Sequence, residues 1–194
     1  MGMNINSTDA ALLARSVADP ELFAELYERH GLTVRRYAVR RVGDGAGDDV
    51  ASEVFTRAFR SRGRFRAQHD TALPWLLGIA TNVIADHRRL ERRRLETLER
   101  AAREASAGVQ SHDPGLAPEL VAALRALPDV ERDTLLLVVW GELTQEQAAA
   151  AVGVPVGTIS SRITRARKRL MSTSLRPARI THDTTVRSEG EIHA

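Results

Sequence analysis

The sequence predicts an all-α protein of two small helical domains joined by a flexible linker. Three observations carry that expectation. Only 4% of residues are aromatic while Ala, Leu and Arg dominate, a mix with high helix propensity and little to pack on a pleated sheet. Apolar residues recur at steps of three and four rather than alternating. A stretch rich in Ala, Glu, Ser and Gly, poor in residues to bury, divides the chain near its middle. At 194 residues the chain has room for one ordinary domain or two small ones.

The elements of the amino half follow from caps and periodicity. Asp9 is expected to cap a short helix through about Val17, and Asp19-Pro20-Glu21 places a cap, an N1 proline and a first-turn acid at the next one. That helix carries Phe23, Leu26, Tyr27, Val34, Tyr37 and Ala38 on one expected buried side. Gly43 to Gly47 breaks the pattern, and Asp48 restarts it with Ala51, Val54, Phe55, Ala58 and Phe59 inward. Residues 60 to 72 are polar and basic and read as a loop. Pro74 then opens a helix with Trp75, Leu76, Ile79, Ala80 and Val83 inward, running into the charged stretch Asp86 to Arg94. The expected boundaries are a domain over 9–95, a linker over 96–118, a second domain over 119–170, and a disordered tail over 171–194.

In the second domain, a helix from Glu119 to Leu127 stops at Pro128. Another from Val130 to Trp140 contributes Leu135, Leu136, Val138 and Val139 to a core and ends at Gly141. Thr144 and Gln147 form a capping box, Gly153-Val154-Pro155 a tight turn, and Val156 to Leu170 a second helix. Ile159, Ile163, Ala166 and Leu170 share one face of it. Thr158, Ser161, Arg162, Arg165, Lys168 and Arg169 share another. This is a helix-turn-helix whose second helix holds several arginines, a lysine and no acid, suited to phosphates and to base edges in a major groove.

The composition excludes several chemistries. The net charge is only +3, so local bunching of Lys and Arg matters more than the total. With no cysteine and six scattered histidines, neither thiolate chemistry nor a metal site is expected. No catalytic residue and no cofactor is expected. The chain has no apolar run long enough for a membrane span and starts without signal-peptide features, so the expected location is the cytoplasm.

Gly157-Thr-Ile-Ser-Ser-Arg162 with Arg165-Ala-Arg167, preceded by Leu124-Arg-Ala-Leu-Pro128 and Arg132-Asp-Thr-Leu-Leu136, resembles region 4 of extracytoplasmic-function (ECF) sigma factors. Phe23-Ala-Glu-Leu-Tyr27, Asp48 to Phe55, and Pro74 to Asn82 with Asp86 and Arg88-Arg89 resemble region 2 of the same family. The resemblance covers about 9–95 and 119–170. It implies a specificity subunit that binds core RNA polymerase, recognises the −10 and −35 promoter elements and assists strand opening. Asp48, Asp49, Glu53, Phe55 and Arg57 would form the docking surface for the clamp helices of the largest subunit, with the flap as a further polymerase contact. Arg64, Arg66, Asn82, Asp86, Arg88, Arg89 and Arg93 would meet the −10 element and its opened non-template strand. Thr158, Ser160, Ser161, Arg162, Arg165, Arg167 and Lys168 would meet duplex DNA at −35. An anti-sigma factor is a further partner class that the resemblance brings, with no residue here identifying one.

Ser52, Thr81 and Ser160 depart from the family's usual Gln, Arg and basic residue, so the −35 preference cannot be copied from relatives. Trp75 is expected in the core, with a DNA role as the alternative. The acids Glu96, Glu99, Glu104 and Asp113 leave two readings open, a nucleic-acid mimic or a solvated spacer. Two other classes compete. A helix-turn-helix regulator needs an effector pocket or dimer face, and a serine recombinase needs an α/β catalytic block; the amino half offers none of these.

Overall fold

The computed structural model describes residues 8–67, 69–101 and 117–174, and the side chains of those residues except 95–101, 118, 173 and 174. The described residues form helices and no strand: α1 (Asp9–Ser16), α2 (Phe23–Val42), α3 (Asp44–Ser61), α4 (Leu73–Ala101), α5 (Pro118–Ala126), α6 (Asp129–Val139), α7 (Gln145–Val152) and α8 (Val156–Ser174). Short 3-10 turns at Pro20–Leu22 and Arg62–Arg64 precede α2 and follow α3. The first four residues of the expected 171–194 tail continue α8 to Ser174 instead; the rest of that tail and the middle of the expected linker, with Glu104 and Asp113, lie outside the described residues.

Several boundaries moved. Thr8 rather than Asp9 caps α1, its hydroxyl accepting from the Ala11 amide. The chain turns at Gly43 alone (φ 86°) and is helical again by Asp44, four residues before the expected restart. The expected loop from 60 begins as the end of α3 and a 3-10 turn, leaving irregular backbone only from Phe65. At its far end α4 continues to Ala101, past the expected linker start.

The amino core is a bundle of α1 to α4, with Leu12, Leu26, Val34, Val54, Leu76 and Ile84 at 1% exposure or less. In the carboxy block Leu137, Ala148, Ile159 and Ala166 are at 0%. Tyr27 and Val139, expected inside, are 57% and 55% exposed. Tyr27 lies at the margin of the buried stripe and covers Phe55 edge-on, ring centroids 4.8 Å apart. Val139 is in the last turn of α6, while Leu137 takes the core position.

The helix-turn-helix is built as expected. Thr144 Oγ1 accepts from the Gln147 amide (3.2 Å) and Gln147 Oε1 accepts from the Thr144 amide (2.9 Å), satisfying two donors that the start of α7 would otherwise leave open. Gly153 ends α7 at φ 68°, ψ 38°, a left-handed conformation that costs a β-carbon-bearing residue roughly 1–2 kcal/mol.

The two blocks pack on one another through α4 and α7. Gly78 makes that approach possible: a β-carbon there would lie 2.2 Å from the Ala151 carbonyl oxygen. Around this contact Arg41 donates to Asp133, Arg88 Nη1 lies 3.6 Å from the same carboxylate, and the Arg40 guanidinium lies over Trp140 at 5.5 Å.

Candidate nucleic-acid interface

The irregular segment after α3 and the first turn of α4 enclose a cleft of about 240 Å³, lined by Arg64, Phe65, Arg66, His69, Thr71, Pro74 and Trp75. Pockets for drug-sized ligands run to roughly 300–1,000 Å³, so this one suits a single flat group. Trp75 is half-buried and stacks edge-on against Phe65, centroids 5.1 Å apart, so it belongs both to the packing and to the cleft wall. Arg64 and Arg66 are exposed at the mouth. Ala150 and Ala151 of α7 close the remaining side; nothing local in the sequence signals that wall.

Beyond the cleft, α4 presents Asn82, Arg89 and Arg93 to solvent and Asp86 half-exposed. Asp86 accepts from Arg57 Nη1 at 3.0 Å and from Arg89. Those two guanidiniums hold its carboxyl below the usual range, the Arg89 hydrogen bond contributing most. Arg88 turns the other way. It donates to the Arg41 carbonyl (3.2 Å), and burial together with the neighbouring Arg41 charge pulls its guanidinium down to about 10. With the blocks packed, Arg88 serves the contact between them rather than the exposed face.

On α3, Asp48 and Asp49 are exposed. Asp48 is paired with Arg35 Nε at 2.6 Å, and Glu53 accepts from Arg57 Nε at 2.7 Å. Phe55 is 6% exposed and packs against Phe23 and Tyr27. It backs the acidic surface and cannot be a contact on it. Arg57 spans the two expected surfaces, joining Glu53 on its own helix to Asp86 on α4. The four-residue spacing made the first pairing legible; the second needs the α3–α4 packing.

On α8, Ile159, Ile163 and Ala166 are buried, Leu170 is half-buried, and Ser161, Arg165, Arg167 and Lys168 are exposed. Thr158 and Arg162 are half-buried beside them. Ser160 donates to the Gln145 side chain, which ties it to α7, and to the Val156 carbonyl at 3.3 Å. Ser161 donates to Thr158 O at 2.9 Å and stays at the surface. Glu131 of α6, which no sequence pattern points to, is 5% exposed; its Oε1 accepts a hydrogen bond from Arg165 Nε at 3.2 Å, and its Oε2 forms an ion pair with Arg169 Nε at 3.1 Å. An acid in the first turn of a helix usually answers the helix dipole, so its role as anchor for α8 had no local signal.

Two family models match the chain, one in each block. The family model described as Sigma-70 region 2 matches residues 26–94, and that described as Sigma-70, region 4 matches 118–170. ECF RNA polymerase sigma factor SigC of Mycobacterium tuberculosis is 39% identical over 131 residues, 66% of this chain and 70% of that protein. SigD of the same organism is 32% identical over 180 residues, 88% and 85% of the two chains. RNA polymerase sigma factor CarQ of Myxococcus xanthus is 30% identical over 153 residues, 77% and 87%. Two solved structures share the fold: CnrH in complex with the cytosolic domain of CnrY (TM-score 0.60, 23% identity, covering 86% of this chain and 96% of that one), and the Bartonella quintana sigma factor RpoE with the anti-sigma factor NepR (TM-score 0.56, 22%, 82% and 97%). The chain belongs to the ECF RNA polymerase sigma factors, initiation factors that bind core polymerase and direct it to promoter DNA.

Proposed function

We propose that this sigma factor captures one flipped non-template base of the −10 element in the cleft ahead of α4, reads the −35 duplex with α8, and docks on the clamp helices of the polymerase through the acids of α3. The observation that carries the reading is the cleft itself, about 240 Å³ with Trp75 and Phe65 in its wall and Arg64 and Arg66 at its mouth. Unstacking costs a few kcal/mol per base. Aromatic walls and a basic mouth offset that cost by stacking and by backbone neutralisation.

On this reading Asn82, Asp86, Arg89 and Arg93 continue the single-strand path along α4. Arg162, Arg165, Arg167 and Lys168 neutralise phosphates at −35, with Thr158, Ser160 and Ser161 toward the bases. Asp48, Asp49, Glu53 and Arg57 meet the clamp helices over the buried Phe55, and the carboxy block meets the flap. The factor catalyses no reaction itself; polymerase does the chemistry, in the cytoplasm. An anti-sigma factor is a proposed partner, supported by the solved complex of the Bartonella quintana relative.

The test is promoter-dependent run-off transcription with the purified chain and core polymerase. Initiation at a −10/−35 promoter, abolished by changing the flipped base, is the expected result. Tight binding to duplex DNA without association with polymerase would end the reading. Asp49→Arg tests the docking surface separately, because it should weaken polymerase association while DNA binding by the carboxy block persists.

A further inference from the structure

We propose that Asp9, in α1 and outside both stretches matched by the family models, is a positioning residue that sets the shape of the base cleft and hence the discrimination among −10 bases. The proposal rests on the cleft reading above.

Asp9 is 5% exposed. Its Oδ1 accepts from Arg29 Nη1 at 2.9 Å, and its Oδ2 meets His30 Nε2 at 2.7 Å, the Ala72 amide at 2.7 Å and the Thr71 hydroxyl at 3.2 Å. One carboxylate therefore joins α1, α2 and the entry to α4. Thr71 passes the connection on, its oxygen accepting from the amide of Leu73, the first residue of α4, at 3.2 Å. Ala72 is 0% exposed, and the residues around it, His69, Thr71, Pro74 and Trp75, line the cleft.

In the stretch that leads into α4, residues 65–67 and 69–72 are neither helix nor strand, so no regular ladder fixes its path. The Asp9 carboxylate fixes its end instead. A buried ion pair is a poor source of stability compared with apolar packing of the same shape, but a carboxylate saturated by several donors specifies geometry closely. A recognition pocket needs such support, because side chains that read a ligand must be held within a fraction of an ångström. Burial raises the cost of the charge, and the His30, Ala72 and Arg29 contacts more than offset it, holding the carboxyl far below its ordinary value. The group is thus charged and engaged at neutral pH.

The test uses holoenzyme assembled from core polymerase and the full-length chain, on four promoters that differ only in the flipped −10 base. Run-off rates give a preference ratio. Asp9→Asn and His30→Ala, neither of which lines the cleft, should flatten that ratio roughly five-fold, the scale of one lost hydrogen bond. His30→Gln, which keeps a donor for Asp9, should restore it. Equal loss of run-off on all four promoters, or an unchanged ratio, would show that Asp9 only supports the fold. If Asp9→Asn does not fold, His30→Ala against His30→Gln decides. A parent chain with no preference at that base, or one indifferent to Trp75→Ala, removes the cleft reading and the proposal with it, a result distinct from a preference that survives in the Asp9 and His30 variants.

Discussion

Replacing Asp133 by alanine tests what holds the two blocks together. The Arg41 side chain is 1% exposed; it donates to Asp133 and, through Nη1, to the Tyr37 hydroxyl at 2.7 Å. Arg88 Nη1 approaches the same Asp133 carboxylate at 3.6 Å, and Asp133, ahead of Asp129, opposes the downward pull of burial and of Arg41 on Arg88. Without it two guanidiniums face each other in a partly dry contact. Removing one partner of a buried pair costs about 3–5 kcal/mol; with Asp133 still 18% exposed the lower end applies, about 3 kcal/mol. That cost falls on docking rather than on either core, because both arginines regain water if α4 and α7 part. About 3 kcal/mol is roughly two orders of magnitude in the docked-to-undocked ratio. The chain has no cysteine, so Ser52→Cys and Ser172→Cys, both at exposed positions, accept a fluorophore pair cleanly. Asp133→Ala should lengthen the distance they report. Unchanged energy transfer together with an unchanged denaturation midpoint would refute the reasoning.

Thr144→Ala removes half of the capping box and should lower unfolding stability by about 1 kcal/mol, read from denaturant midpoints at constant slope. Gly78→Val puts a branched side chain where a single β-carbon already meets the Ala151 carbonyl, so the same fluorophore pair should separate without loss of helix content by circular dichroism. Asp9 is depressed in the folded chain from an ordinary value near 3.8. Its contribution is therefore present above that value and lost as pH falls below about 4; acid titration by circular dichroism should show a shallower fall for Asp9→Asn than for the parent. Arg165→Ala should reduce the slope of log affinity against log salt for −35 duplex by about one, and an unchanged slope would remove that phosphate contact.

What could be read from the sequence was what is decided locally. The capping box at Thr144 and Gln147, the turn at Gly153 and the buried stripe of Ile159, Ile163 and Ala166 each depend on residues within four positions, and each is present. α3 begins four residues before the expected Asp48 because the glycines at 45 and 47 do not break it: packing of Val50, Ala51 and Val54 outweighs roughly 1 kcal/mol of propensity per glycine. Charged residues were harder. Arg88 and Arg89 are neighbours in the chain, yet one serves the contact between the blocks and the other faces solvent with Asp86. Asp9 reads as a helix cap until its partners at 71 and 72 are known. Such separations, 62 and 63 residues, leave no periodic trace.

Several of the charges expected to meet polymerase and DNA are already engaged within the chain. Asp48 holds Arg35, Asp86 holds Arg57 and Arg89, and Glu131 holds Arg165. Binding DNA or polymerase through these groups exchanges one partner for another rather than adding a new one. Exposed pairs such as Asp48 with Arg35 contribute little to stability and exchange readily; the Glu131 end of the α8 pair is 7% exposed and would be left short of a cation if Arg165 swung to a phosphate. Arg169, at 3.1 Å from the other Glu131 oxygen, is placed to keep that carboxylate paired. The arrangement lets Arg165 reach DNA while Arg169 stays, so removing Arg169 should weaken −35 binding through Arg165 without lowering the salt slope by a full phosphate contact. Arg169→Gln against Arg165→Ala measures the difference, and equal slopes for the two variants would show that both arginines bind phosphate.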